Sequence, residues 1–588
     1  MAESWWTETE AEEWSDALVA SMKLGGVDNL FFVSGTELNF YQEAIAKARA
    51  KGRPAPNLVT MTLESTALNA AIGNSMVRDA PSATAVHVDA GTLHMGAAIH
   101  TAWRSGAPIL MTAGTAPRAL PGSMRGARSG GVSYLQEPRD QGEIVRQYTK
   151  ADHKLDHIDH PGLAISRLLQ IAMSEPRGPV YLAIPQETAM LPLPGTTSFP
   201  TAGQLGLARQ AWPDPDDATL IAKWLVDADN PVMFTGGAGR DPQAVEAMVR
   251  LAELLAIPVS VGMSSDRMNF PATHWAYGTG PDANAADVIL VMEDVTPFTP
   301  GPRGPSGDAK IAWTSLDPVY SRYLSRDFRS DLWLPASVAA VAKAVYDAAT
   351  PMLTTSRMSK IEERRERLQQ RRQELDARLE SLATDDIKRG VLNGRVVGYE
   401  LAKHIDASSI ILNDGLSNGG FVQAYARRSL PGTYFRSGST SGGWGSGASF
   451  GVKLARPDAD VIHATGDGYF MFGAPPASLW AASHHKAPYL TIVYVNGTYS
   501  TGTSMLRDTY PEGFGVHAGF DGGVFDPAPD FAKLAESING YGEDVTELDA
   551  LGPAMTRAFK QIRNGTPALL AVHVPGPLSG EGAGGGNG

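Results

Sequence analysis

The chain contains no cysteine. That excludes a disulfide framework, a thiolate nucleophile and any cysteine-ligated metal site. A surplus of positive charge is missing as well: 50 Lys and Arg stand against 63 Asp and Glu, a formal net charge of -13. Such a balance leaves no electrostatic footprint for nucleic acid or for an anionic membrane surface, so neither is expected as a partner. An anionic ligand then needs a local device to hold it. Long hydrophobic runs are also absent, and stretches such as residues 107–113 are too short to cross a bilayer. The N-terminal MAESWWTETEAEEW is acidic and lacks the basic and apolar regions of a secretory signal, so the expected location is the cytoplasm. The GxxxxGK, HExxH and zinc-spacing patterns do not occur.

What is present is a 588-residue chain that is 43% hydrophobic, long enough for several globular cores. From about Trp14 to Pro185, helical patterns alternate with short apolar runs: LFFVSG, NLVTMTLE, ATAVHVDAG, PILMTAG and PVYLAIP. That alternation predicts a parallel α/β sheet over a first domain, residues 1–190. A Pro-rich stretch, Met190 to Gly203, reads as a linker. A second α/β unit follows over 204–350, with strands near PVMFTGG, IPVSVGM, DVILVME and KIAWTSLDP. Residues 351–390 form a charged helical connector, in which Ile361, Leu368, Leu375 and Leu382 recur every seven residues, with Leu379 beside them. This narrow stripe is expected to lie on the protein's own body as a strap, with a coiled-coil partner as the less favoured alternative. A third α/β unit spans 391–575, with strands at SIILND, DVIHATGDG, YLTIVYVN and PALLAVHV. The glycine-rich tail, 576–588, is expected to be flexible.

The segment HATGDGYFMFGAPPASLWAASHHKAPYLTIVYVNGTYS carries the strongest chemical signal. One apolar strand ends in Gly466-Asp467-Gly468, a helical stretch follows, and a second apolar strand ends in Asn496-Gly497-Thr498. In a parallel sheet both ends fall on the carboxyl edge, where ligands bind. The Asp467 carboxylate, the Asn496 amide oxygen and a backbone carbonyl near Thr498 can then converge on one hard cation, the incomplete oxygen cage that Mg2+ prefers. Gly466 and Gly468 let the main chain approach a diphosphate. Taken alone, GDG is also an ordinary strand-to-helix turn.

These residues resemble the motif of thiamine diphosphate enzymes. The run from ARRSLPGTYFRSGSTSGGWGSG through VNGTYS is particularly similar to benzoylformate decarboxylases. The resemblance implies three doubly wound α/β domains: pyrimidine-binding, middle and diphosphate-binding. It implies Asp467, Asn496 and Thr498 as magnesium ligands, and it places Gly442, Gly443, Gly466, Gly468, Tyr469, Ser417 (in LNDGLSNGGF) and Tyr499 around the coenzyme. The family also needs a glutamate heading a small-residue helix in the first domain, and VTMTLESTALNAAIGNSM supplies Glu64. Its carboxyl would activate the coenzyme through the pyrimidine ring, yielding the nucleophilic ylide and later an enamine. AVHVDAGTLHMGAAIHTAW places His87 at the decarboxylases' first active-site histidine, a proton-transfer role. His94 has no such match. Ser34 (in SGTELNF), Gln136 (in YLQEPRD, similar to acetolactate synthases) and Met505 are candidate substrate contacts, the last with Leu506 and Phe514 in an apolar wall or, equally, in ordinary lid packing.

Two departures bear on the reaction. The decarboxylases' second histidine would fall in EDVTPFTPGP (Glu293 to Pro302), which has none, and the same stretch lacks the arginines of flavin-carrying acetolactate synthases. FAD is therefore not expected. TGGAGR (Thr235 to Arg240) lacks the last glycine of a dinucleotide fingerprint. The expected activity is cleavage or formation of a carbon-carbon bond beside a carbonyl, as a decarboxylase or as a 2-hydroxy ketone lyase or carboligase. Acyl transfer of the acetolactate synthase type and a non-catalytic coenzyme-binding protein are the alternatives. The resemblance further implies a homo-oligomer, a dimer of dimers, because the family builds its site between the first domain of one subunit and the third of another.

Overall fold

Apolar strands alternating with amphipathic helices assemble into three all-parallel sheets in the computed structural model, which describes residues 5–576 except Met263 and Asp526. The tail beyond Gly576 lies outside the described residues. The first sheet has six strands, in spatial order Asn57–Met61, Asn29–Val33, Ser82–Val86, Ile109–Thr115, Val180–Pro185 and Asp152–Lys154. The third sheet repeats that arrangement with Tyr434–Phe435, Ile410–Asp414, Val461–Gly466, Leu490–Val495, Ala568–His573 and Tyr541–Val545. Numbered by sequence, both sheets run 2-1-3-4-6-5. The order reverses beside strand 1, so a crevice opens at the carboxyl ends of strands 1 and 3. The middle sheet is five-stranded, with Pro231–Thr235 and Val288–Met292 at its centre.

The polar edge strands Asp152–Lys154 and Tyr541–Val545 escape a reading based on apolar runs, because an edge strand need bury only one face. The stretch Met190 to Gly203, expected as a linker, is instead structured in part. Pro192–Phe199 pairs antiparallel with Thr7–Glu13 in a two-stranded ribbon. Proline is tolerated there because an edge strand does not need every N–H for its ladder.

The charged helix runs from Thr355–Lys388 and lies on the protein's own body. Its buried positions are Ile361, Arg364, Leu368, Arg372, Ala383 and Asp386, whereas Leu382 of the seven-residue series is exposed. A straight helix drifts about 20° per heptad, so a strict seven-residue series rotates off the contact face. Arg364 anchors the strap: Nε donates to the Ala256 carbonyl (3.0 Å), Nη1 to Ala228 (2.8 Å) and Nη2 to Leu255 (2.6 Å). These carbonyls end two helices of the middle domain, where the last C=O groups have no intrahelical donor.

The first and third domains share one core. Helix Glu64–Arg78 crosses helix Trp444–Ala455, its counterpart in the repeated topology, with Leu68, Ile72, Trp444 and Phe450 in the same cluster. The backbones approach closely because glycine faces backbone at each contact. A Cβ on Gly447 would fall 2.6 Å from the Thr66 carbonyl oxygen, and one on Gly451 or Gly73 would overlap the carbonyl oxygens of Ala70 and Ala448.

Candidate active site

Two polar groups occupy the carboxyl edges of the repeated sheets. In the first domain, Glu64 opens its helix immediately after strand Asn57–Met61 and is 8% exposed. The helix dipole favours a carboxylate at that end. Oε2 of Glu64 faces His94 Nδ1 at 3.3 Å, and Gly91 passes so close to Oε1 that a Cβ there would stand 3.3 Å away. His87 follows strand Ser82–Val86 and caps the helix Val88–His94. Its Nδ1 is buried and faces Oε2 of Glu37 at 3.1 Å. The Glu37 carboxylate also accepts from Thr36 Oγ1 (2.6 Å) and from Gln136 Nε2 (2.5 Å).

Contact with Glu37 lifts the His87 imidazole above its ordinary range, against the opposing effect of burial. Burial pushes the Glu37 carboxyl up, but the close contact with His87 and the hydrogen bond from Thr36 outweigh it, and the net direction is down. The structure thus joins His87 and Gln136 through Glu37, while Glu64 pairs with His94 at the same carboxyl edge. Gln136 is committed to Glu37 rather than standing free, and Ser34 is exposed at the end of its strand.

In the third domain, strands Val461–Gly466 and Leu490–Val495 are adjacent, with Gly466 beside Tyr494. Asp467 begins a short helix, and Asn496 follows the neighbouring strand. Oδ1 of Asp467 accepts from the Gly468 N–H (2.8 Å), while Oδ2 accepts from the N–H groups of Asn496 (2.9 Å) and Gly497 (2.8 Å). Burial pushes this carboxyl up despite those bonds. Oδ1 of Asn496 accepts from the N–H and Oγ1 of Thr498, both at 3.1 Å. Asp467, Asn496 and Thr498 are therefore adjacent and offer only oxygen donors.

Around them, a Cβ on Gly466 would meet nothing within 4 Å, so open space borders the turn. Gly468 lies under Tyr499, where a Cβ would come 2.9 Å from the ring, and Gly442 lies under Tyr469 in the same way. Gly443, at φ +89, heads the helix that begins at Trp444. Ser417 is exposed in the turn after strand Ile410–Asp414, and Met505 is exposed on helix Ser500–Thr509.

Three features were not singled out from the sequence. Glu37 is one; its only local signal was a charged residue just past a strand on the carboxyl edge. The contact of His94 with Glu64 is another. The third is a buried Asp414 whose Oδ2 accepts from the N–H groups of Gly443 (3.0 Å) and Gly445 (3.1 Å), with His463 Nε2 3.9 Å away. In the middle domain, a Cβ on Gly236 would lie 2.8 Å from the Asp294 carboxyl, which also accepts from the Gly262 N–H and Ser264 Oγ. The glycines of TGGAGR thus accommodate an aspartate. A cavity of about 550 Å3 lies where the three domains meet, bordered by Gly237, Asp266, Arg322, Arg436 and Tyr469.

The hydrogen bonds of the Glu64 group stay within the first domain, and those of the Asp467 group within the third. Exposed apolar side chains adjoin both groups: Leu93 and Leu135 precede His94 and Gln136 in the chain, and Phe472 stacks on Tyr499, the ring over Gly468.

Comparison with known proteins places both groups in matched regions. The description "Thiamine pyrophosphate enzyme, N-terminal TPP binding domain" matches residues 13–144, and its C-terminal TPP binding counterpart matches residues 415–572. A benzoylformate decarboxylase of Pseudomonas aeruginosa is 27% identical over 450 residues, covering 74% of this chain and 78% of that protein. A probable acetolactate synthase of Mycobacterium bovis is 25% identical over 571 residues, 94% of each chain. Among solved structures, the thiamine diphosphate-dependent 4-hydroxybenzoylformate decarboxylase of Rhodococcus jostii RHA1 superposes with a TM-score of 0.75 at 21% identity, covering 96% of this chain and 99% of that one.

Proposed function

The chain belongs to the thiamine pyrophosphate enzyme family, and from that premise we propose how its own residues serve the thiamine diphosphate-dependent making or breaking of a carbon-carbon bond beside a carbonyl. The observation that carries the proposal is the pairing of a buried carboxyl at one sheet's carboxyl edge with an all-oxygen cluster at the edge of its topological twin. When bound, thiamine diphosphate supplies a nucleophilic carbon and an electron sink for the carbon beside the carbonyl.

The residues of the third domain fit that group. Asp467, Asn496 and the Thr498 carbonyl would hold Mg2+, which takes oxygen donors and leaves positions for phosphate. A bound cation would also relieve the desolvation that now raises the Asp467 carboxyl. The open space at Gly466 would admit a diphosphate against main-chain N–H groups, and Gly442, Gly443, Gly468, Tyr469, Ser417 and Tyr499 are assigned to the same coenzyme site, with Gly468 packed under Tyr499 and Gly442 under Tyr469.

In the first domain, Glu64 would hold and exchange a proton with the aminopyrimidine ring of the coenzyme. His87 would move a proton at the substrate, by general acid-base catalysis. Gln136 fixes Glu37, while Ser34 and Met505 remain exposed, free to meet a substrate.

The exposed apolar side chains beside these groups, Leu93, Leu135 and Phe472 among them, support covering by another copy of the chain, and on this reading the working unit is at least a homodimer, with a dimer of dimers as the full assembly. No helix among the described residues is long and apolar enough to cross a membrane, and a cytoplasmic enzyme is the reading adopted. The substrate class follows the named relatives: a 2-oxo acid that is decarboxylated, or joined to a second carbonyl compound.

The test is turnover by protein loaded with thiamine diphosphate and Mg2+ against a panel of 2-oxo acids and 2-hydroxy ketones, reading CO2 release and carbonyl products by NMR. Product from one class supports the proposal and fixes the reaction type. Confirmed coenzyme binding without product from any of them would withdraw it in favour of a coenzyme-binding protein.

A further inference from the structure

We propose that Glu37 is a positioning residue that fixes the His87 ring through Nδ1, so that His87 enters the reaction as a proton donor through Nε2. The proposal deepens the function above and rests on its placement of His87 in the active site.

Glu37 is 3% exposed, yet among the described residues it has no Lys or Arg in ion-pair range. Its three side-chain contacts are the Thr36 hydroxyl, the Gln136 amide and His87. A buried carboxylate without a partner cation is costly, and neutral donors offset only part of that cost. His87 is the one neighbour able to supply a positive charge. Asp89, on the helix that His87 caps, acts on His87 as well and also favours the protonated ring.

The backbone is cleared for this pair. A Cβ on Gly35 would stand 2.5 Å from His87 Nδ1, and one on Gly114 would stand 2.9 Å from the Glu37 carbonyl oxygen. Residues from four separate segments therefore converge to set one imidazole: the loop at Gly35 to Glu37, the strand containing Gly114, the loop of Gln136 and the strand end at His87.

With Nδ1 buried against a carboxylate, Nε2 is the nitrogen left to reach a substrate. The step it serves is a simple proton transfer. The Nε2–H bond breaks, the proton forms a new bond to carbon or oxygen of the substrate-derived group, and the resulting neutral imidazole is reprotonated from water.

The experiment is an NMR titration of His87 in the coenzyme-free protein, beside the pH profile of kcat/KM for the loaded enzyme, in wild type and in Glu37→Gln, Glu37→Asp and His87→Ala. In wild type the His87 midpoint lies above the ordinary histidine value. In Glu37→Gln it falls by about one pH unit, the scale of a lost neighbouring charge, and the alkaline limb of the profile moves acidward with it. Glu37→Asp restores part of the shift.

A wild-type His87 midpoint at or below the ordinary value overturns the proposal even if Glu37→Gln does not fold. A Glu37→Gln protein with lower activity but an unmoved midpoint and limb also overturns it, since that is what a merely structural residue gives. His87→Ala separates the two layers. Full turnover in that variant removes His87 from the active site, whereas its inactivity together with an unmoved midpoint in Glu37→Gln rejects only the role of Glu37.

Discussion

Gly451 lies against the carbonyl of Ala70 so closely that a Cβ on the glycine would overlap the oxygen. The contact joins the helix headed by Glu64 to its topological counterpart in the third domain, and thereby sets the position of one candidate catalytic residue against the other half of the chain. Backbone cannot yield as a side-chain tip can. Gly451→Val should therefore cost more than the ~1–3 kcal/mol typical of core overpacking, read as a lowered melting temperature and denaturation midpoint. Unchanged stability would mean that the two helices are not packed backbone to backbone.

Glu64→Gln keeps the shape of the side chain and removes its proton exchange. The expected outcome is a fall in kcat of about 10²- to 10⁴-fold, the usual scale for a lost general acid or base, with coenzyme still bound by calorimetry. Retained turnover would assign the activating role to another group.

Removal of divalent cation should release the coenzyme. Dialysis against EDTA is expected to abolish thiamine diphosphate binding, Mg2+ to restore it, and Asp467→Ala to raise the Mg2+ concentration required, since that carboxylate is the only formal negative charge among the three donors. Coenzyme binding indifferent to both chelation and the substitution would contradict the oxygen cage at Asp467.

The His87 and Glu37 pair makes stability pH-dependent in a definite window. The imidazole is raised on folding, so its contribution is full below the unfolded histidine value and is lost as pH rises through the folded one. The carboxyl is lowered, so its contribution is present above the unfolded carboxylate value and is lost as pH falls through the folded one. The melting-temperature difference between wild type and Glu37→Gln should accordingly be largest in mildly acidic solution and shrink toward both extremes. A difference constant with pH would indicate a loss of packing alone.

The Gly466-Asp467-Gly468 turn was legible because its residues are consecutive and its strand is apolar from Val461 onward. Asn496 was legible because it ends the next strand along, and Glu64 because a small-residue helix follows it directly. Glu37 was not, since the groups that give it meaning, His87 and Gln136, lie 50 and 99 positions away (37 to 87 and 37 to 136) and are brought together only by the crossover order of the sheet. The strand Asp152–Lys154 was hidden by its polar, three-residue edge position. Leu382 shows the converse error, because a seven-residue spacing read from sequence does not stay on one face of a straight helix.

The most direct test of the account is to mix Glu64→Gln with Asp467→Ala protein after mild dissociation and measure turnover in the reassembled oligomer. If Glu64 of one subunit and Asp467 of another make one active site, a mixed dimer regains one of its two sites, and a random mixture of the two inactive proteins recovers roughly a quarter of wild-type activity. Verified mixed oligomers with no recovery, alongside an active wild-type control taken through the same steps, would contradict an active site shared between Glu64 of one subunit and Asp467 of another.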